Sequence, residues 1–579
     1  MTVGSFTEKA NFIWSIADLL RGDYKRAEYG KVILPFTVLK RLDDILKNTK
    51  PDVLNLYEKL EGKSEEAIDT ILNGKSGYSY FHNHSKFDFE SLLSQPNDIG
   101  PNLRNYIAGF SKSVRDIFES FRFDNQIDRL DKSNLLYQMV KEFNAIELND
   151  VSGLEMGYIF EHLIYKFAEE SNETAGEHFT PREVIELMVH VLFQNDRRFY
   201  KTGAILNIYD PACGTGGMLT IAEDYFKDHN EDPESSVVNL YGQDVNEEIY
   251  AICKADLMIK GQNPENIQYG NSFTDDKFPL ETYDYMLCNP PFGVNWGKKT
   301  DVKNFIKDEH ADKGFDGRFG AGLPPISDGS LLFLQHLISK MKDPKTTDGS
   351  RIAIVFSGSP LFAGGAGSGP SEIRKWIIEN DMLEGIIALP NQLFYNTGIG
   401  TYIWIVTNKK QDYRKGKVQL VNAVNIYEKM KRSLNNKRNI ISDENIREIA
   451  KIYGGFQETK VSKIYDNEAF GYNKVTVESP LLKNGKIVKD KSGKPKADSK
   501  LRDYESIPLD EDIHKYFQRE VLPHLPSAWL DEDKTKRGYE INFNSEFYEY
   551  KPLRPLDAIK EDIMVLENKT NDAIKNIVI

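Results

Sequence analysis

Over the first 150 positions, apolar residues recur at steps of three and four. In "FIWSIADLL" and "VILPFTVLKRLDDIL" they face away from the charged positions, which predicts amphipathic helices. A polar stretch, "NHSKFDFESLLSQPNDIGPN", interrupts the pattern before it resumes at "LRNYIAGFSKSVRDIFESF". Residues 1–150 therefore read as a helical domain without a sheet. From about Leu154 to Val406 the period changes. Short β-branched or aromatic runs, "AILNIYD" (204–210), "VVNLYGQDV" (237–245), "NIQYGNSF" (266–273), "YDYMLCN" (283–289), "RIAIVFS" (351–357), "LEGIIALP" (383–390) and "TYIWIVTN" (401–408), are separated mostly by helical segments such as "MLTIAEDYFKDH". Alternation of this kind predicts an α/β fold, a parallel sheet with helices on both faces. The last two runs lie close together and are expected to pair as an antiparallel edge.

After Lys409 the pattern breaks down and charge takes over. Residues 408–440 hold ten Lys or Arg against two acids, a local balance of +8. Such runs are usually solvated faces, but this one follows the sheet directly and is a candidate for phosphate contact. "KNGKIVKDKSGKPKADSK" (483–500) is Lys-rich and apolar-poor and reads as a flexible loop. The final "PLDAIKEDIMVLENKTNDAIKNIVI" has helical spacing, and its apolar stripe needs a partner to bury it.

Composition narrows the class. With 579 residues, 40% hydrophobic and 28% charged, the chain is an ordinary globular protein of several domains. No run approaches the roughly 18 apolar residues of a membrane span, and the N-terminus has no secretory pattern. Cys213, Cys253 and Cys288 form neither a metal-type pair nor a disulfide framework, so a reducing, cytoplasmic setting is expected. The net charge of −14 is unlike that of a protein that grips nucleic acid alone.

Chemistry gathers at the carboxyl ends of successive runs. "NIYDPACGTGGML" (207–219) ends a strand at Asp210 and turns through Gly214, Thr215, Gly216 and Gly217, where a missing Cβ lets backbone approach a ligand. It is neither a dinucleotide fingerprint, because Leu219 holds the third glycine position, nor a P-loop. Asp244 ends the second strand, where an acid can accept from ribose hydroxyls, and Asn271 follows the third, where an adenine ring can be read. Together they outline a nucleoside site without phosphate machinery. The fourth strand stops at Asn289-Pro290-Pro291-Phe292, a rigid corner on the same edge.

These motifs resemble those of the S-adenosylmethionine-dependent amino-methyltransferases, specifically the DNA adenine-N6 group. "GEHFTPREVIELMVHVL" (176–192) resembles the remaining cofactor motif of that group. With the helical N-terminus and "GYEINFNSEFYEYKPLRPLDAI" near the end, the resemblance covers most of the chain and is to the modification (M) subunit of type I restriction–modification systems. It implies a Rossmann-like methyltransferase sheet over 151–425. It also implies an N-terminal helical domain, 1–150, for DNA or partner contacts. The helical or extended tail, 426–579, would carry the Lys-rich loop and a terminal helix for docking. The implied cofactor is S-adenosyl-L-methionine, held by Glu177, His178, Phe179, Thr180, Pro181, Arg182, Asp210, Gly214, Thr215, Gly216, Asp244 and Asn271. The implied partners are duplex DNA with a flipped adenine, a specificity (S) subunit, a second M subunit and a restriction (R) motor–nuclease subunit. No metal is implied.

Elementary chemistry agrees. An exocyclic adenine amine is a poor nucleophile, and two acceptors, the Asn289 side-chain oxygen and the Pro290 carbonyl, would stabilise charge developing on it. Phe292 offers a ring to an extruded base. No cysteine follows a proline as cytosine-C5 chemistry would require, and Cys288 is expected to pack in its strand. Thr180, Pro181 and Glu183 also fit a helix start, with Thr180 as N-cap and Glu183 closing a capping box. Family members often carry an acid where this chain has Asn271, and a glutamate where it has Gln243. Protein-glutamine and RNA amino-methyltransferases share the Asn-Pro-Pro-aromatic motif, but the long helical N-terminus counts against them. A non-catalytic scaffold is opposed by the intact glycine loop and corner. "FHNHS" (His82, His84) reads as an exposed loop, and Asp69 spoils the Walker-like "DTILNGKSG".

Overall fold

The computed structural model describes residues 4–171, 180–395, 397–434, 436–490, 493–548 and 554–577. Glu177, His178 and Phe179, three of the anticipated cofactor residues, lie outside them. Residues 1–541 form one compact unit and 542–579 a second.

The chain before residue 200 is helical, with no strand among its described residues. The apolar spacing of Gly30–Leu46 buries the helix on nearly every side. Lys40 and Asp44, one turn apart inside it, pair at 2.7 Å. Asp44 also accepts the Leu148 backbone N–H at 2.7 Å, so its charge is bonded on two sides. The "FHNHS" stretch is not an exposed loop. Phe81 and Phe87 sink into the core and carry His82 with them, fully buried. The His82 ring bonds Asn73 at 2.8 Å and His84 at 3.2 Å, and burial pushes its pKa down to about 3. Among the described residues no cluster of His, Cys, Asp and Glu is arranged to hold a metal.

A nine-stranded sheet follows. Its strands are β1 (Ile205–Asp210), β2 (Val237–Asp244), β3 (Ile267–Tyr269), β4 (Tyr285–Cys288), β5 (Arg351–Ser357), β6 (Leu383–Ala388), β7 (Thr401–Thr407), β8 (Lys417–Asn422) and, beyond the small hairpin β9 (Glu428–Leu434) and β10 (Lys437–Ile440), β11 (Ser462–Asp466). The order is β11-β8-β6-β7-β5-β4-β1-β2-β3. β1 to β5 are mutually parallel, and β7 runs antiparallel to both neighbours, β5 and β6. The β6–β7 pair is therefore antiparallel but interior, because β8 and β11 extend the sheet beyond it. Strands buried on both faces read as continuous apolar runs, which is why β4, β5 and β7 stand out in the sequence. One hydrophobic core runs from Ala10 through the sheet to Tyr453, so the N-terminal helices and the sheet share it.

Much of the basic segment after β7 is used internally. Lys410 pairs with Asp381 at 2.6 Å, Lys417 with Asp466 at 2.7 Å, and Lys437 with Glu183. Buried Arg414 donates to Gln419 at 3.1 Å and to the Tyr453 carbonyl at 2.6 Å. The following region is rich in strands. β12 (Gly471–Glu478) lies between β15 (Asp503–Pro508) and β16 (Trp529–Tyr539). The Lys-rich stretch is not a structureless loop, because it folds as the hairpin β13 (Leu482–Lys483) and β14 (Lys486–Ile487). In the second unit, Leu556–Ile577 is a helix with exposed Ile563, Met564 and Leu566. Among the described residues no helix is long and apolar enough to cross a membrane.

Candidate active site

In a parallel sheet, loops at the carboxyl edge sit side by side, and here they gather residues far apart in sequence. β1 ends at Asp210 and the chain turns through 211–216 into the helix Gly217–His229. Gly214 and Gly216 have φ of +54° and +84°, left-handed values that a side chain resists. Gly216 is also required by contact, since an added Cβ would lie 2.8 Å from Cys253 Sγ. Asp244 braces the loop from the next strand. One of its oxygens accepts the Gly214 N–H at 2.9 Å and the other the Asn246 N–H at 2.8 Å.

Glu161, Thr180, Asp210, Gly214, Thr215 and Asn289 line one cavity, with Ile185 and Met218 as its apolar wall. The side chain of Asn289 is oriented by Thr180, whose Oγ1 accepts from Asn289 Nδ2 at 2.8 Å. This leaves Asn289 Oδ1 buried with no hydrogen-bond partner. Such an acceptor costs stability unless something else fills it. Thr180 is consequently not the N-cap expected of it. Pro181 occupies that place, its carbonyl accepting from Val184 N at 2.9 Å, and Glu183 is paired with Lys437 rather than closing a capping box. Phe292, half-buried, meets Phe394 edge-on at 6.1 Å.

Asp210 is almost fully buried. Burial foremost, with Asp244 nearby and only the Ala212 N–H opposing, pushes its pKa up to about 8. The sequence missed Glu161, which the helix Gly153–Ser171 delivers to the same cavity. Arg182 holds it with two bonds, of 3.0 and 3.2 Å, and both side chains are about 6% exposed. Burial nevertheless pushes the Glu161 carboxyl up, while Glu161 outweighs burial to hold Arg182 above its ordinary range. The available signal was an acid flanked by core residues in "GYIFEHLIYKF".

Not every anticipated residue reaches the cavity. Asn271 Oδ1 accepts its own loop's Phe273 N–H at 2.9 Å, which leaves its amide donors for a ligand. Pro290 is buried, and Pro291 half-buried, in the corner itself. Burial raises the Cys213 and Cys288 thiols, and for Cys213 a hydrogen bond to Cys253 is the larger cause, so neither is a ready nucleophile. The glycine loop and the buried, uncompensated Asp210 suit a ligand with a nucleoside end and a cationic end. Asn289 Oδ1 suits a hydrogen-bond donor.

Residues 152–479 match the profile of the N-6 DNA Methylase family, and residues 9–143 that of the HsdM N-terminal domain. The methylase subunit of the type I restriction enzyme MjaIX from Methanocaldococcus jannaschii is 28% identical over 508 residues, covering 83% of each chain. The MjaVIII methylase subunit from the same organism is 26% identical over 553 residues, covering 91% of this chain and 83% of that one. The type I restriction-modification methyltransferase subunit from Streptococcus thermophilus has the same fold, with a TM-score of 0.61 at 23% identity over 80% of this chain and 97% of that one.

Proposed function

Because the chain belongs to the N-6 DNA methylase family, we propose that it transfers a methyl group from S-adenosyl-L-methionine to the N6 amine of adenine in duplex DNA. It does so as the modification subunit of a type I restriction–modification complex, in the cytoplasm, with specificity, second modification and restriction subunits as partners. The observation that carries this reading is Asn289 Oδ1, a buried acceptor without a partner in the same cavity as Asp210 and the glycine loop.

The residues fit the cofactor. Gly214 to Gly216 allow close approach of its nucleoside, Asp244 and Asn271 flank that end, and the Asp210 carboxylate faces a cationic group. When bound, the cofactor supplies a methyl group already activated on a sulfonium. The chain's own contribution is alignment and acceptance. Thr180 fixes the Asn289 amide so that Oδ1 meets an amine hydrogen without reorganising. The Pro290 carbonyl takes the second hydrogen, and Phe292, steadied by Phe394, supports the extruded base. Arg182 holds Glu161 by two hydrogen bonds on the wall of the cavity. In this division 1–150 contacts DNA or partners, 151–425 carries the chemistry, and 426–579 provides docking through its terminal helix.

The test is transfer of labelled methyl from S-adenosylmethionine to duplex DNA by the chain with its partner subunits. Label in adenine N6 is expected. Label only in protein or RNA would refute the assignment.

A further inference from the structure

The chain is acidic overall, yet its strand-rich C-terminal region sets lysines directly against lysines. In the β12–β16 ladder Lys474 is the register partner of Lys536, and in the β13–β14 hairpin Lys483 is the partner of Lys486. Like charges directly opposite one another destabilise a sheet unless a counter-charge joins them. The hairpin pairing is built in, because Asn484 and Gly485 both have positive φ, +51° and +75°, as a two-residue type I′ turn demands. That turn fixes the residues on either side of it, here both lysines, as neighbours.

The arm has further shape. Beyond β14 the chain folds back, with Leu481 N bonded to the Lys496 carbonyl and Lys496 N to that of Val488, each at 2.8 Å. Lys483, Lys486, Lys489, Lys494 and Lys496 are all exposed, and among the described residues none forms an ion pair. The root is treated differently. The buried Glu478, at the end of β12, takes Arg502 at 2.7 Å and Lys534 at 3.2 Å, which ties the base of the arm down. At the other end of the same sheet, Lys536 lies against Gly367, where an added Cβ would stand 3.2 Å from its Cδ. Gly367 lies in the segment between the short helix Ser359–Phe362, which follows β5, and the helix Gly369–Glu379. Among the described residues Lys536 and the hairpin lysines form no ion pair, while Lys474, opposite Lys536 on β12, sits over the Tyr504 ring at 4.6 Å.

We propose that Lys536, Lys474 and the hairpin lysines form a track for the phosphate backbone of duplex DNA flanking the target adenine. The proposal rests on the function proposed above. From Lys474 to Lys483 the chain spans at most about 30 Å at 3.3 Å per residue, which is about nine base pairs at 3.4 Å each. The track fits phosphates rather than base edges, because flexible ammonium groups act as point charges and carry no planar, bidentate geometry.

The experiment uses the full-length chain, alone and assembled with its partner subunits, and a duplex oligonucleotide longer than the track. Binding is measured against salt for the wild type, for the triple variant Lys483→Gln, Lys486→Gln, Lys489→Gln, and for the matching Lys→Arg triple. The Gln triple is expected to bind roughly tenfold or more weakly at low salt, and its log–log salt slope to fall by about 1 to 3, near 0.9 per lost contact. The Arg triple should retain the wild-type slope. Cofactor affinity, which the track does not touch, should match the wild type and certifies the fold. An unchanged slope in the Gln triple overturns the track. If that variant also loses its partner subunits on purification, the arm docks protein instead. Absence of adenine methylation by the wild type would bring down the function itself, whereas normal methylation with an unchanged slope brings down only the track.

Discussion

At the edge of the sheet where the parallel strands begin, Arg198 holds Asp196 at 2.6 Å, Arg351 holds Glu384 at 2.7 Å and Lys410 holds Asp381 at 2.6 Å. These groups line the larger cavity, of about 1250 Å³, and most charges there have an opposite, with Arg197 and the Arg351 Nε left over among the described residues. At the edge where the strands end, a smaller cavity holds Asp210 with no cation acting on it and Asn289 Oδ1 with no donor. Size and charge content both favour the first edge. Incompleteness favours the second, and a site that must bind something has to be incomplete without it.

The contrast is open to attack at its strongest points. Arg182→Leu and Arg198→Leu each strand a buried carboxylate, Glu161 and Asp196, and each should cost about 3 kcal/mol or more of stability by denaturant titration. Only Arg182→Leu should also weaken cofactor binding per folded molecule. An equal loss from Arg198→Leu would erase the difference between the edges. Asn289→Ala should lower methyl transfer by about 100- to 1000-fold, with cofactor affinity, measured calorimetrically, close to the wild type. Loss of cofactor affinity instead would mean that Asn289 shapes the pocket rather than accepting from the amine.

The smallest effect is one of pH. The folded Asp210 carboxyl sits at about 8 against an ordinary 3.8, so folding takes up a proton there. Its contribution to stability is fully present below the ordinary value and is lost as pH rises toward 8. A cationic ligand needs the ionised form, so cofactor affinity should rise up to tenfold per pH unit until about pH 8 and then level off. Asp210→Asn should flatten that profile. A wild-type profile already flat from pH 6 to about 8 would remove Asp210 from the binding of the cationic end.

Legibility followed the range of the interactions. β5 and β7 were readable because strands buried on both faces must be apolar throughout, whereas the stretch that holds the Asn484-Gly485 turn reads as a flexible loop because it is Lys-rich and apolar-poor. β16, "WLDEDKTKRGY", has no such signature, since its charged run is held as a strand only by pairing with β12. His82 was misread for the same reason, because what buries it is the packing of Phe81 and Phe87.

By itself the sequence determined the α/β alternation, the glycine turn after β1 and the rigid Asn-Pro-Pro-Phe corner, since backbone conformation and strand burial are local demands on residue type. Tertiary structure alone decided that Thr180 orients Asn289 across 109 positions, that Glu161 and Arg182 close a buried pair, and that lysines on separate strands stand opposite one another. A hydrogen-bond partner or an uncompensated charge is a property of what the fold brings near, and no local pattern records it.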